Sequence, residues 1–109
     1  MTSHLDVFQV VADSSRRQML YLLSKERMTI NELAENFEMS RPAVSKHIKA
    51  LHSAGFITIE DAGRERYCTL KQEGFNELAE WITYFDQFWA TKMKGLANLM
   101  DQNRKKGKR

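Results

Sequence analysis

Two helix-start signals in the middle of the chain constrain its fold more than any other feature. Thr29 and Glu32 have the Thr-x-x-Glu spacing of a capping box, in which each side chain satisfies a backbone amide near the other. Ser40 is a favourable N-cap, and Pro42 lies in the turn after it, where its missing N–H costs nothing. The two caps therefore predict consecutive helices joined by a short turn, the outline of a helix-turn-helix.

A β-hairpin is predicted directly after the second of these helices, which we expect to run from Arg41 to about Ser53. Residues 56–60 and 64–70 are rich in β-branched and aromatic side chains, as strands are. Residues 61–63, Asp-Ala-Gly, separate them and have the composition of a turn. A hairpin in this position corresponds to the wing of a winged helix-turn-helix.

Two short helices are predicted before the helix-turn-helix. The first is indicated by apolar residues at helical spacing between Leu5 and Ala12. The second runs from about Ser15 to Ser24, with Asp13 or Ser14 as its cap.

A long apolar stripe occupies the C-terminal part of the chain. From about Gln72, apolar residues recur three or four positions apart, at Phe75, Leu78, Ile82, Phe85, Trp89, Met93, Leu96 and Met100. A helix of about 28 residues is roughly 42 Å long, more than a body of this size covers. A ligand pocket is the alternative, but a stripe of this length favours an obligate homodimer. Its predicted interface contains Leu5, Phe8, Leu78, Ile82, Phe85, Trp89, Met93 and Leu96.

These elements predict an α+β fold that is mostly α, a winged helix-turn-helix of order α-α-α-α-β-β-α with a long C-terminal dimerisation helix. The domain spans residues 1–103, and a basic disordered tail follows at 104–109. The tail holds five of the 17 basic residues, leaving 12 basic against 14 acidic residues in the rest of the chain. A nucleic-acid function therefore has to be argued from local charge and not from the net charge of +3.

Local positive charge is concentrated on the predicted fourth helix, which contains no acidic residue. Its apolar residues Val44, Ile48 and Leu51 share one side and are expected to pack on the third helix. The residues expected to face outward are Arg41, Ala43, Ser45, Lys46 and Lys49. Such a helix fits the major groove of double-stranded DNA, where these side chains can read base edges. The alternative is a solvated face, but the order of cap, turn, basic helix and hairpin favours DNA binding.

Residues 40–57, SRPAVSKHIKALHSAGFI, resemble the recognition-helix pattern of the ArsR family, Ser-x-Pro-x-Val-Ser-x-His-Leu-x-x-Leu-x-x-Ala-Gly-Leu-Val. Residues 12–20, ADSSRRQML, are similar to the family's Ala-Asp-Pro-Thr-Arg-Arg-x-Ile-Leu, and the resemblance covers about residues 5–70. It implies a homodimeric bacterial or archaeal repressor acting on a pseudo-palindromic operator. It also implies DNA contacts by Ser45 and His47 with Arg41 and Lys46, and wing contacts by Arg64 and Arg66.

The sequence departs from the metal-sensing members of that family. Those proteins carry a Cys-x-Cys site in the first helix of the helix-turn-helix, where this chain has NELAEN at 31–36, or His and carboxylate ligands on the last helix. This chain has no histidine after His52. His47 and His52 point about 140° apart around one helix, so they cannot share a metal ion. We therefore expect no metal, no cofactor and no metal response, and the sequence leaves any other effector open.

Other classes of function are disfavoured. An enzyme would need a nucleophile and base, a phosphate-binding glycine loop or a metal cluster, and none is visible. A winged helix for RNA or protein binding is the alternative, but it would need exposed aromatics or an acidic or apolar outward face. MarR- and PadR-like regulators share the architecture, but residues 12–17 favour ArsR.

The remaining features bear on location and redox chemistry. No apolar run reaches the roughly 18 residues of a membrane span, and the first residues lack the character of a signal peptide, so we expect a cytoplasmic protein with no membrane partner. Cys68 alternates with its neighbours as a small core residue would. A redox switch through a disulfide across the dimer is the alternative.

Overall fold

The computed structural model describes the backbone of residues 5–107 and the side chains of residues 5–103. It contains two compact units, one ending at Leu78 and the other beginning at Ala79. Of the predicted disordered basic tail at 104–109, residues 104–107 have a helical backbone that belongs to the last helix, which differs from the expectation, and residues 108–109 lie outside the described residues. No helix among the described residues combines the length and apolar character needed to cross a membrane.

The elements follow the predicted order with one addition. They are α1 Val7–Val11, α2 Ser14–Leu23, β1 Met28–Thr29, α3 Ile30–Ala34, α4 Arg41–Ser53, β2 Ile57–Ala62, β3 Glu65–Leu70 and α5 Gln72–Gly107. The prediction of a mostly helical winged helix-turn-helix with a long C-terminal helix is confirmed.

The added element is β1, which the predicted order α-α-α-α-β-β-α lacks. Met28 pairs with Cys68 and Thr29 with Tyr67, so β1 lies antiparallel to β3 in a three-stranded sheet of order β1-β3-β2. A two-residue strand is too short to show alternation in the sequence. Its second residue, Thr29, is also the N-cap of α3, which is the only role that the sequence indicated.

The predicted helix starts are confirmed by their capping hydrogen bonds. Thr29 and Glu32 form the reciprocal capping box, at 3.0 Å and 2.8 Å, and Oγ of Ser40 accepts from the backbone N–H of Ala43. Asp13 caps α2 by accepting from Arg16. The first helix begins later than expected, at Val7 instead of Leu5.

Helix α4 ends at a glycine and leads directly into the wing. The N–H of Phe56 binds the carbonyl of Leu51 and that of Gly55 binds His52, which is the Schellman arrangement. Gly55 has φ +82°, the left-handed conformation that glycine adopts without penalty. Helix α5 then starts against this end, because the N–H of Gly74 binds the carbonyl of Gly55 at 2.8 Å. The wing is therefore anchored at its base by the end of α4 and the start of α5.

The core of the first unit is apolar and contains the residues predicted to face inward from α4. The largest fully buried side chains are Phe56, Met19, Leu33, Leu51, Ile57, Val10, Val44 and Cys68. The prediction that Cys68 is a small core residue is confirmed. Phe75 and Leu78 of α5 pack against the edge of this core.

In the second unit, α5 continues to Gly107. Its 36 residues exceed the roughly 28 expected from its apolar stripe. The stripe ends at Met100, but helix formation continues into polar residues, which the apolar pattern could not indicate.

Candidate DNA-binding surface

Helix α4 presents a polar, basic face above a buried apolar one. Val44, Ile48 and Leu51 are buried. Of the residues expected to face outward, Arg41, Ser45, Lys46 and Lys49 are exposed, whereas Ala43 is half-buried. Ala43, in the first turn of α4, is therefore less accessible than the helical pattern suggested. The exposed face carries three cationic side chains and no acid, so an anionic partner is favoured there.

Arg41, at the start of α4, is hydrogen-bonded to the side chain of Asn31 on α3. Both residues are exposed, so the bond orients the guanidinium without burying it. Asn31 is also the first residue of the segment that carries cysteines in metal sensors. Its amide oxygen accepts the hydrogen bond from Arg41, which is consistent with a structural and not a metal-binding role for this segment.

His47 is half-buried and is held by a residue that the sequence did not single out for function. Its Nδ1 lies 3.0 Å from Nη1 of Arg16, on α2. In the sequence, Arg16 stands out only as part of the Arg-Arg pair in residues 12–20. Its long-range contact leaves no signal in a local pattern, since 31 positions separate the two residues.

Asp13 completes the polar cluster at the start of α2. The backbone N–H of Arg16 donates to its carboxylate at 3.0 Å and is the main cause that holds the pKa of Asp13 below its usual value. Partial burial acts in the opposite direction but is the smaller effect. Asp13 is therefore an ionised cap at neutral pH.

The wing is a regular hairpin closed by a two-residue turn. Ala62 pairs with Glu65, leaving Gly63 and Arg64 at the tip. Gly63 has φ +66°, which the first position of a type II′ turn requires. Arg64 is exposed and makes no hydrogen bond or ion pair within residues 5–103, whereas Nε of Arg66 lies 3.1 Å from Oδ1 of Asp61. An exposed pair of this kind contributes about 0–1 kcal/mol, so Arg66 can exchange it for another anion.

One further cation lies beside the base of the wing. Arg27, just before β1, stacks over the ring of Tyr67 with its guanidinium carbon 4.0 Å from the centroid. This residue was missed from the sequence because it lies in the break between two helices.

The second unit exposes the apolar residues predicted to form a dimer interface. Trp89 is 57% exposed and Met93 60%, and Ile82, Phe85 and Leu96 are also exposed. In the first unit, Leu5 and Phe8 are exposed, whereas Leu78 is partly buried against the core. Apolar surface on this scale is characteristic of interaction surfaces.

No group of three or more His, Cys, Asp or Glu residues among those described is arranged to hold a metal ion. The buried thiol of Cys68 has its pKa raised by desolvation, which disfavours the reactive thiolate.

Sequence comparison gives one family match and several relatives. Residues 13–58 match the bacterial regulatory protein, arsR family. The chain is 36% identical over 94 residues to the HTH-type transcriptional regulator Rv2034 of Mycobacterium tuberculosis, covering 86% of this chain and 85% of that protein. It is 31% identical to the transcriptional repressor SdpR of Bacillus subtilis, covering 73% and 89% respectively.

Solved structures show the same fold. The crystal structure of an ArsR family transcriptional regulator superimposes with a TM-score of 0.70 at 36% identity, covering 77% of this chain and 87% of the other. A homodimeric winged helix-turn-helix DNA-binding domain from Mycobacterium bovis matches with a TM-score of 0.59 at 22% identity, covering 74% and 75%.

Proposed function

This chain belongs to the ArsR family of bacterial regulatory proteins, and we propose that it is a homodimeric transcriptional repressor that binds a pseudo-palindromic operator in double-stranded DNA. The observation that carries the proposal is the exposed, acid-free face of α4, which lies over a buried apolar side and is followed by a wing tipped with Arg64. Members of its family are transcriptional regulators, and the related SdpR is named a repressor.

Recognition is divided between the helix and the wing. Arg41, Ser45 and Lys46 lie in the first two turns of α4, the part of a recognition helix that reaches base edges in the major groove. Lys49 and His47 follow as further DNA contacts, and the half-buried Ala43 offers a small apolar contact beside them. Arg64 and Arg66 contact the DNA backbone or minor groove, since both lie at the end of the hairpin.

A second copy of the chain covers the apolar face of α5. Ile82, Phe85, Trp89, Met93 and Leu96 fall within one stripe, and two such stripes can bury one another in an isologous interface. The structural relative from Mycobacterium bovis is homodimeric, which supports this arrangement. Leu5 and Phe8 belong to the same proposed interface. Leu78 contributes less than the sequence suggested, because it already packs on the core.

We infer that metal ions do not regulate the proposed repressor, because α3 carries no cysteine and no histidine follows His52 in the sequence. Titration with zinc, cadmium or arsenite is expected to change operator affinity by less than about tenfold, equivalent to roughly 1.4 kcal/mol of coupling. A larger release would contradict the proposal. We also propose that the protein is cytoplasmic and has no enzymatic activity.

Selection of binding sites from random duplex DNA tests the function directly. Enrichment of an inverted repeat is expected, with half-sites one helical turn apart, about 10 base pairs centre to centre, or a multiple of that. Absence of any enriched duplex would contradict the DNA-binding function. A parallel selection on single-stranded RNA serves as the comparison, and enrichment there alone would favour an RNA-binding module.

A further inference from the structure

The guanidinium of Arg16 connects the end of α1 to the recognition helix α4. Nε donates to the carbonyl of Val10 at 2.8 Å and Nη2 donates to the carbonyl of Gln9 at 3.1 Å. The third bond is donated by Nη1 to Nδ1 of His47 at 3.0 Å. Both carbonyls lie in the last turn of α1, and that of Gln9 also accepts from the backbone N–H of Ala12. The guanidinium is therefore held on three sides and has little freedom to turn.

The contact with His47 fixes which imidazole nitrogen carries the proton. Arginine has only N–H donors and does not lose its proton in proteins. Nδ1 of His47 therefore accepts, so it carries no proton, and the neutral ring has its N–H at Nε2. Within residues 5–103, Nε2 makes no hydrogen bond, and the ring is only half-buried. The N–H at Nε2 is the group left for a ligand.

We propose that Arg16 is a positioning residue for DNA recognition, which holds His47 as a neutral Nε2–H donor aimed at an acceptor oxygen or nitrogen of the bound duplex. This inference rests on the proposed function, since it assigns His47 a contact with DNA. Arg16 itself acts through His47 and not by touching DNA. Because it also binds α1, the same side chain ties the position of the first helix to the orientation of a DNA-contacting residue on α4.

The neighbouring Arg17 provides a matched control. Nη1 of Arg17 donates to the carbonyl of Val11 at 2.7 Å, so it also binds the end of α1, but within residues 5–103 it makes no hydrogen bond or ion pair with α4. Arg16→Gln and Arg17→Gln remove the same charge and a similar helix-end contact. Only Arg16→Gln removes the bond to His47.

The test is a double-mutant cycle on the duplex obtained by selection. Arg16→Gln and His47→Ala are each expected to weaken operator binding about tenfold, the effect of losing one good hydrogen bond to an anionic or polar acceptor. The double variant is expected to bind no more weakly than His47→Ala alone, because both changes remove one coupled contact. Arg17→Gln is expected to bind within about threefold of wild type, since only long-range charge is lost.

Nitrogen-15 chemical shifts of the His47 ring, measured without DNA, give an independent reading. Wild type and Arg17→Gln are expected to show an unprotonated Nδ1 and a protonated Nε2, whereas Arg16→Gln is expected to show a fraction of the Nδ1–H form. Equal affinities for Arg16→Gln and Arg17→Gln, additive effects in the cycle, or a protonated Nδ1 in wild type would each overturn the inference. Failure of the proposed function itself is distinguished beforehand, because wild type would then bind no duplex.

A scrambled duplex identifies the acceptor. If Arg16→Gln weakens binding to operator and scrambled duplex alike, His47 donates to a phosphate oxygen. If it weakens only operator binding, the acceptor is a base edge. Either result supports the positioning role.

Discussion

Arg41 and Arg64 differ in their surroundings, and the difference predicts different effects on DNA binding. Arg41 is oriented by Asn31 at the start of α4, whereas Arg64 is exposed at the hairpin tip with no partner within residues 5–103. Arg41→Ala is therefore expected to cost about 1–3 kcal/mol on the operator and to relax base preference. Arg64→Ala is expected to weaken binding to all duplexes and to reduce the slope of log affinity against log salt by about one.

The measurement is a titration of both variants against operator and scrambled duplex at several salt concentrations. If Arg41→Ala weakened both duplexes equally while Arg64→Ala changed base preference, the roles of helix and wing would be reversed.

Asp13 gives a pH-dependent prediction. Its pKa is lowered in the folded protein by the backbone N–H of Arg16, so its contribution to stability is present above the usual carboxyl range and is lost as pH falls through it. Asp13→Ala should reduce the free energy of unfolding by about 1 kcal/mol at pH 7. The difference from wild type should shrink below about pH 4.

Urea unfolding at pH 7 and pH 3 checks this expectation. Asp13→Asn is the control, since it keeps a capping side chain and removes the charge, and it should lose less stability than Asp13→Ala at pH 7. A loss for Asp13→Ala that grows as the pH falls would show that the carboxylate is not stabilising.

At the scale of elements, the contact of α5 with the end of α4 depends on a glycine. A Cβ at Gly74 would lie 2.9 Å from the carbonyl oxygen of Ala54 and from the ring of Phe56, while one at Gly95 would meet nothing within 4 Å. Gly74→Ala is expected to destabilise the protein by about 1–3 kcal/mol through overpacking. Gly95→Ala, in the same helix, is expected to stabilise it by about 0.5–1 kcal/mol.

Thermal unfolding of the two variants gives opposite shifts in Tm if the start of α5 packs as described. A gain in stability from Gly74→Ala would show that α5 does not approach α4 this closely.

Elements with strong local signals were predictable from the sequence, and those set by distant contacts were not. The caps at Thr29 and Ser40 depend on residues close in sequence, so their positions followed from local chemistry. The hairpin was predicted too, but its turn lies at Gly63 and Arg64 instead of 61–63, because pairing with β3 extends β2 to Ala62. Strand β1 exists only because β3 lies beside it, and such a pairing leaves no periodicity in two residues.

In the candidate DNA-binding surface, too, features set by local spacing were predictable and features set by distant contacts were not. Exposure of Lys46 and Lys49 followed from helical spacing. The bond between Arg16 and His47 depends on how α2 packs on α4, which spacing does not reveal, and spacing also did not indicate that Ala43 is half-buried. Arg27 was missed because it lies in the break between two helices and its partner Tyr67 is distant in sequence.

At the scale of the whole molecule, the proposed dimer depends on the apolar face of α5. Phe85→Asp places a charge in the middle of that stripe, where burial against a second copy would desolvate it. The variant is expected to be monomeric or to aggregate. Asn98→Asp is the control, since it adds a similar charge to an exposed position of the same helix outside the stripe.

Sedimentation equilibrium at micromolar concentration measures the outcome. Wild type and Asn98→Asp should sediment as dimers. A well-folded wild-type monomer would contradict the architecture, because a single half-site rarely supplies enough affinity for specific recognition.

The central claim is that two copies of this chain read one operator through α4. It is tested most directly by titrating wild type against three duplexes at one salt concentration: the selected operator, the same operator with one half-site scrambled, and a fully scrambled sequence. The affinity for the operator should be at least about 10³-fold higher than the affinity for the fully scrambled duplex. The affinity for the half-scrambled duplex should be well below that for the operator. Equal affinity for all three would contradict sequence-specific binding, and equal affinity for the first two would contradict recognition by a dimer.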